Sequence, residues 1–195
     1  MADTVAETSR LRLRTWDDRD LDEFIERTNT PAVMRWLGGV WPRDQHEAAF
    51  ERLQGYQAEF GHTFWLLERK TDDALLGFCG LKRVNHPGAG PIAGEVEVGW
   101  RLREDAWGQG YAKEAAIASL DLAFGQFSAP RVVALTVPGN AASRALMARL
   151  GMERRADLDF VDPRFDHPGD LNPAIVYSME APEWPSKRAR ALQPR

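Results

Sequence analysis

The chain is short of cysteine, of long apolar runs and of excess positive charge, and each shortage closes off a class of protein. Cys79 is the only cysteine in 195 residues, so no intrachain disulfide can form and no multi-cysteine metal site can be built. Its neighbours in LLGFCGL are apolar, which predicts a buried structural thiol rather than a nucleophile. No apolar stretch approaches the ~20 residues needed to span a bilayer. The opening MADTVAETSR lacks a basic segment followed by an apolar one, so no signal peptide is expected. Lys and Arg number 25 against 29 Asp and Glu, a net charge of -4 that argues against a protein built to grip nucleic acid. His62, His86 and His167 are scattered without metal-ligand spacing, so no metal is expected. What remains is an ordinary composition, 44% hydrophobic and 28% charged, and the expectation of a cytoplasmic protein without nucleic-acid or membrane partners.

The patterning predicts one domain over residues 9–181, with a flexible N-terminus (1–8) and a basic, proline-broken tail (182–195). SRLRLRTW (9–16) alternates with period two and reads as a half-buried strand. Helices are expected over 17–29, 31–39 and 43–61, with Gly55 a weak point in the last. The period then changes: 62–69 and 74–84 read as a strand pair, 85–94 as a loop, and EVEVGWRL (95–102) as another strand. A long helix (108–127), a β-branched strand (131–137), a helix capped by Asn140 and stopped by Gly151, and two last strands complete the order. Strand 95–102, helix, strand 131–137 is a βαβ unit, which requires a parallel pair, whereas the hairpins must be antiparallel.

In REDAWGQGYAKEAA (103–116) a Gly-X-Gly step stands where a strand gives way to a helix. Glycine admits positive φ and close approach of a ligand to the backbone, and the first helical N–H groups lack internal partners. A phosphate or pyrophosphate suits that place, although a plain glycine turn has the same look. A Walker loop is excluded because no Gly-Lys-Ser/Thr follows. A dinucleotide fingerprint is disfavoured because Lys113 stands where the third glycine should, and because the βαβ unit begins late in the chain.

EVEVGWRLREDAWGQGYAKEAAIASLDLAF followed by RVVALTVPGNAASRALMARLGM resembles the GNAT superfamily of acetyl-CoA-dependent N-acetyltransferases. The opening RLRLRTWDDRDLDEFIERTNTPAVMRWLGG and the stretch LLGFCGL resemble its RimJ/RimL-type branch, and the likeness runs from about residue 9 to residue 180. It implies a GNAT fold of the α/β (α+β) class. Such a fold has a mixed, mostly antiparallel central sheet, a splayed parallel strand pair, and helices on both faces. It also implies that the coenzyme A pyrophosphate sits on the amides of Trp107, Gly108, Gln109, Gly110, Tyr111 and Ala112. Asp105 departs from the family's Gln or Arg at that place and cannot donate to phosphate, which makes Arg103 the candidate supplementary charge; a solvated strand-end arginine is the other reading of it.

Amine acetylation requires a deprotonated amine, a polarised thioester carbonyl and a proton for the departing thiolate. No nucleophile with a paired base is evident, so direct attack within a ternary complex is the simpler mechanism. Alternation in GEVEVGW puts Glu95, Glu97 and Gly99 on one face, a pattern that any half-exposed strand also shows. The resemblance points to Glu97 as the base, with Glu95 a second candidate because a bulge would disturb that facing. It pairs the main chain from Val98 through Trp100 to Leu102 with the pantetheine. It also assigns Asn140 and Ser143 to coenzyme A, Ser143 or water serving as the general acid; a helix cap and an ordinary helix serine explain the same two residues without function. Trp36, Trp41, Phe78 and Trp100 are candidates for the acceptor pocket, although aromatics are core residues by default, and the acid-rich loop 160–173 is a candidate cover.

The expected activity is therefore acetyl transfer from acetyl-CoA to a primary amine, either a protein or peptide N-terminal α-amine or a small-molecule amine. A non-catalytic acyl-CoA-binding module and a nicotinamide oxidoreductase are the rival classes. Monomer and homodimer fit the sequence equally well, and nothing in it selects the acceptor.

Overall fold

The computed structural model describes residues 2–165 and 170–193. The chain divides into two compact units, Met1–Lys82 with Gly99–Ser119, and Arg83–Val98 with Leu120–Arg195.

The first unit holds β1 (Thr4–Glu7), β2 (Leu11–Arg14), α1 (Asp20–Thr28), α2 (Pro31–Met34), α3 (Arg43–Phe60) and β3 (Phe64–Arg69). It also holds nearly all of β4 (Ala74–Arg83), the later half of β5 (Val96–Leu102) and the start of α4 (Tyr111–Phe124). Antiparallel ladders join β1 to β2, β2 to β3 and β3 to β4. The first residues are thus not loose, as the sequence suggested. Thr4–Glu7 pairs along β2, and Lys70 Nζ reaches Glu7 Oε2 at 2.7 Å. The four-residue strand is too short to show a period of its own, and its order comes from the partner ladder. On β2 the alternation works as expected: Leu11 and Leu13 are fully buried, while Arg12 and Arg14 meet Glu68 at 3.1 and 2.6 Å.

Helix α1 starts at Asp20 rather than at residue 17 because the Asp20 carboxylate accepts the Asp17 N–H (2.7 Å) and the two-pronged guanidinium of Arg14 (2.6 and 2.8 Å). Asp20, Asp22 and Glu23 fill its first turn, where the helix dipole favours acids. Thr30 caps α2, which stops at Met34, short of Gly38 and Gly39 with φ of 92° and 88°. Helix α3 runs through Gly55 unbroken and ends on Gly61 in the left-handed region. Phe24, Leu66 and Leu75 form a core with Trp16 and Phe78 against it. The glycine of LLGFCGL at position 77 has φ 135°, and a Cβ there would stand 2.0 Å from the Arg101 carbonyl oxygen, so no other residue fits. Cys79 is fully buried with Sγ 3.6 Å from Ser119 Oγ, and burial pushes its thiol up to about 12, as a structural cysteine requires.

The second unit contains the first half of β5, then β6 (Arg131–Thr136), α5 (Ala141–Leu150), β7 (Glu153–Arg154), β8 (Ile175–Glu180) and α6 (Trp184–Ala191). Strands β5 and β6 are parallel, Val96 opposite Val132 and Glu97 opposite Val133. Strand β8 pairs antiparallel with both β6 and β7. This is the expected mixed fold, mostly antiparallel with one parallel pair and helices. Val84, Ala89, Ile92, Val133, Phe160 and Val176 form the core of this unit. Asn140 caps α5 and Gly151, φ 81°, ends it, both as the sequence indicated.

Residues 182–195, expected as a loose basic tail, instead contain α6. Its proline sits in the first turn, where a missing N–H costs nothing. Trp184 is buried and its Nε1 donates to Asp121 Oδ1 at 2.9 Å, while Arg188 donates to both Asp121 oxygens at 2.7 and 2.9 Å. Asp121→Ala removes both anchors. It is expected to lower stability by roughly 1–3 kcal/mol in chemical denaturation and to speed amide exchange across residues 184–191; unchanged exchange there would show that packing alone holds the helix.

Candidate active site

Within the first unit, β5 ends at Leu102, a short 3-10 turn covers Glu104–Ala106, and α4 begins at Tyr111. Gly108 and Gly110 both lie in the left-handed region, φ 72° and 82°, so the turn needs glycine at these two places. The Glu114 N–H takes the Gly110 carbonyl at 3.1 Å, the first bond of the helix. The amides of Tyr111, Ala112 and Lys113 therefore precede any intrahelical acceptor. Trp107 does not share this character: its amide donates to Glu104 O (3.0 Å) and its Nε1 to Leu102 O (2.9 Å). It closes the 3-10 turn instead of extending the row of available amides. Gln109 Nε2 donates to the Asp105 carbonyl at 2.6 Å.

Arg103, the expected supplementary charge, is tied to Asp105 through Nε (2.5 Å) and Nη2 (2.6 Å) and to the Leu75 carbonyl (3.2 Å). The residue that departs from the family pattern thus neutralises the arginine meant to compensate for it. The cation at the turn is Arg10, which sequence reasoning missed. Its Nη1 donates to Gln109 O at 3.0 Å, its Nε to Glu114 Oε2 at 2.7 Å, and its guanidinium lies 4.5 Å over the Tyr111 ring. Glu114 also accepts from Thr8 Oγ1 at 2.5 Å and the Arg10 amide at 3.1 Å. Burial opposes its charge, but these bonds hold its carboxyl below the usual range. Nothing near residue 10 announces this role, because its partners lie about a hundred residues downstream.

In the second unit Glu97 is only 7% exposed, and Val96 and Val98 beside it are buried too. The half-exposed alternation read from the sequence does not hold on this stretch, because both faces are covered. Glu95 is the more accessible acid, but Arg131 Nε donates to it at 2.7 Å and Nη2 closes a second bond. That pairing engages the Glu95 carboxylate with a cation of its own unit. His86 Nε2 stands 3.4 Å from Glu97 Oε2, and its Nδ1 stands 3.5 Å from Asp162 Oδ2. Arg164 donates from Nη2 to the His86 Nδ1 and from Nε to Asp162 at 2.9 Å. Burial opposes the charge of Asp162, which the hydrogen bonds from Arg164 nevertheless hold below the ordinary carboxylate range. The sequence marked His86 only as one of three scattered histidines. Asn140 Oδ1 accepts the Ser143 N–H at 3.1 Å, the cap expected of it, and Ser143 is half-buried.

Of the aromatic acceptor candidates, Phe78 is partly exposed and packs against the core, stacking on Phe64 and Phe24 with centroids 5.0 and 5.8 Å away. Trp36, Trp41 and Trp100 are partly exposed. Trp41 Nε1 donates to Leu37 O at 3.1 Å, and Trp36 lies under the Arg35 guanidinium at 4.5 Å. Arg101 is buried over Phe24 (4.3 Å) and Phe78 (5.3 Å), its Nη1 on Met34 Sδ at 3.3 Å. Among the described residues no carboxylate pairs with it. His46 is buried as well, and burial, followed by the Arg101 charge, drives it down to about 4. Of the loop 160–173, His167 and its neighbours at 166, 168 and 169 lie outside the described residues. Among the described residues no helix is long and apolar enough to cross a membrane.

Residues 10–153 match the family described as the acetyltransferase (GNAT) domain. YkkB of Bacillus subtilis (strain 168) is 32% identical over 154 residues, covering 77% of this chain and 86% of that protein. The N-acetyltransferase YnaD of the same organism is 29% identical, covering 75% and 81%. The solved structure of RimL, named as a ribosomal L7/L12 alpha-N-protein acetyltransferase, superposes with a TM-score of 0.72 at 14% identity, covering 92% of this chain and 95% of that one. At that identity the likeness is one of fold.

The depressed histidine gives a pH dependence with a definite sign. An unfolded histidine titrates near 6.5 and His46 near about 4, so the unfolded chain binds more protons between these values. Stability should therefore fall as pH drops from about 6.5 to about 4, and His46→Phe should flatten that part of the curve in thermal melts. An identical pH dependence in the variant would show that His46 titrates normally.

Proposed function

Because the chain belongs to the GNAT acetyltransferases, the acyltransferases whose domain matches residues 10–153, we propose that it moves the acetyl group of acetyl-CoA to a primary amine by direct attack with both substrates bound. The observation that carries this reading is the glycine turn of Gly108 and Gly110 at the head of α4, inside the matched stretch. When bound, acetyl-CoA supplies the activated thioester carbonyl. The amides of Gly108, Gln109, Gly110, Tyr111 and Ala112 hold its pyrophosphate, helped by the dipole of α4. Arg10 stiffens that turn through the Gln109 carbonyl rather than meeting the phosphates itself. The main chain of Val98, Trp100 and Leu102 pairs with the pantetheine, and Asn140 keeps the start of α5 in register for Ser143.

Glu97 takes the ammonium proton of the acceptor. Its burial supports the assignment, since a carboxylate removed from water is a stronger base than one on the surface. The amine then attacks the thioester carbon, the C–S bond breaks, the thiolate gains a proton from Ser143 or water, and the new amide nitrogen gives up its extra proton to restore that group. The acceptor we favour is the α-amine of a peptide or protein, with small-molecule amines as the second class. The RimJ/RimL-type opening motif supports the α-amine.

Free-thiol release across a panel of N-terminal peptides and small amines tests the activity; silence across the panel with acetyl-CoA bound would remove it. Gly110→Glu puts a side chain and a negative charge on the turn and is expected to weaken acetyl-CoA at least roughly tenfold in calorimetry. Unchanged affinity would remove the turn as the pyrophosphate cradle. Glu97→Gln should lower turnover near neutral pH by about 100-fold or more with little change in acetyl-CoA affinity. An untouched turnover and pH profile would transfer the proton to another acceptor.

A further inference from the structure

We propose that His86 is a positioning residue for the base, donating its Nε2–H to hold Glu97 as a carboxylate, and that Arg164 selects the tautomer that makes this possible. The inference rests on the reading of Glu97 as the base, and it begins with a constraint on one proton. Arg164 Nη2 lies within hydrogen-bond distance of the His86 Nδ1. A guanidinium has donors and no acceptor and stays charged at any working pH. The Nδ1 must therefore be the acceptor, which puts the proton of the neutral ring on Nε2. Nε2 is the nitrogen that stands 3.4 Å from Glu97 Oε2, a separation at which no hydrogen bond to that oxygen is formed in this structure, so the donation requires the ring to close by a few tenths of an ångström.

The other contacts of the ring keep this arrangement in place. Asp162 Oδ2 lies 3.5 Å from Nδ1, and the carboxylate receives Arg164 Nε on Oδ1 at 2.9 Å and on Oδ2 at 3.1 Å, so it fixes the guanidinium rather than competing for the ring. The Arg164 amide also donates to Asp162 at 3.0 Å, which seats the backbone of this segment under its own side chain. Asn172 binds the segment at both ends, accepting from the Asp162 amide at 2.9 Å and donating to the Phe165 carbonyl at 2.6 Å. The charged groups facing His86 are thus Glu97 from β5 and Asp162 and Arg164 from the 160–165 segment, with the Phe160 ring 6.3 Å away on the remaining side. Side-chain exposure rises in order from Asp162 (4%) and Glu97 (9%) through His86 (23%) to Arg164 (51%).

The device answers a need of the chemistry. A base buried as deeply as Glu97 gains strength from desolvation but risks being protonated before the amine arrives. A neutral N–H donor stabilises the carboxylate without adding a full positive charge, which would weaken it as a base.

Two measurements test this. The first needs no turnover: 15N shifts of His86 in the intact protein should show Nε2 protonated and Nδ1 bare near neutral pH, and Arg164→Ala should let the tautomers mix. The opposite tautomer in the wild type would overturn the proposal. The second is the pH dependence of kcat/KM with an acceptor found in the amine panel. His86→Phe should move the acidic limb upward by about one unit, a tenfold loss on that limb, with acetyl-CoA affinity unchanged, and His86→Gln, which keeps a donor, should restore much of it. A limb that stays in place while kcat falls equally at every pH would reduce His86 to a structural contact. Glu97→Gln separates the two readings. If the limb persists in that variant, Glu97 is not the base; if it vanishes there while His86→Phe leaves the wild-type limb unmoved, only the positioning role is lost.

Discussion

The carboxylate of Glu97 lies inside a strand whose neighbours, Val96 and Val98, are buried with it. Removing such a group from water costs several kcal/mol unless nearby dipoles and donors replace its hydration. Much of the second unit can be understood as supplying that replacement. The loop after β4 is held by Val84, Ala89 and Ile92 in one apolar cluster with Val133 and Phe160, and this cluster delivers His86 to the carboxylate. The segment after Phe160 is bonded across to Asn172 and delivers Asp162 and Arg164 to the other side of the ring. Glu95, two residues earlier, is dealt with differently: it is more accessible and is paired directly with Arg131. A direct ion pair suits a structural acid, whereas a neutral donor leaves a carboxylate able to accept a proton.

The first unit handles its charges by the opposite means. Arg101 is a buried cation whose partners are aromatic faces and a thioether. Cation–π contacts offset part of its desolvation, and its charge helps to keep the neighbouring His46 neutral. At the glycine turn Arg10 and Glu114 brace the head of α4 between them, one bonded to a turn carbonyl and the other to the N-terminal segment. The turn itself is built from two positive-φ glycines and carries no side-chain charge on its own. The acid beside it, Asp105, is neutralised by Arg103.

Some of this could be read before any coordinates. The Leu11 and Leu13 alternation, the Asn140 cap, the Gly151 stop and the parallel pairing of β5 with β6 follow from periods and stop signals within a dozen or so residues. The reading failed where the deciding partner was distant. β1 looked loose because only the ladder with β2 orders it, and α6 looked like a tail because Asp121, its anchor, lies more than sixty residues earlier. The face of Glu97 was misjudged because alternation reports which residues share a side, and it cannot report that both sides are covered. Phe78, offered to a pocket, also packs by stacking on Phe64 and Phe24, partners that its own stretch of sequence does not show.

The sequence by itself determined most of the elements, the fold class and the glycine turn, which depend on local backbone preference and on residues close together in the chain, and its motifs carried the resemblance to the family. Tertiary structure alone decided which charges are paired and which are left to act. Arg103 went to Asp105, Glu95 to Arg131 and Arg10 to Glu114, while Glu97 came to face His86, which a third segment meets through Asp162 and Arg164. The physical reason is range: backbone propensity acts over a few residues, but the protonation and strength of a buried base depend on whatever polar atoms the fold brings within a few ångströms of it.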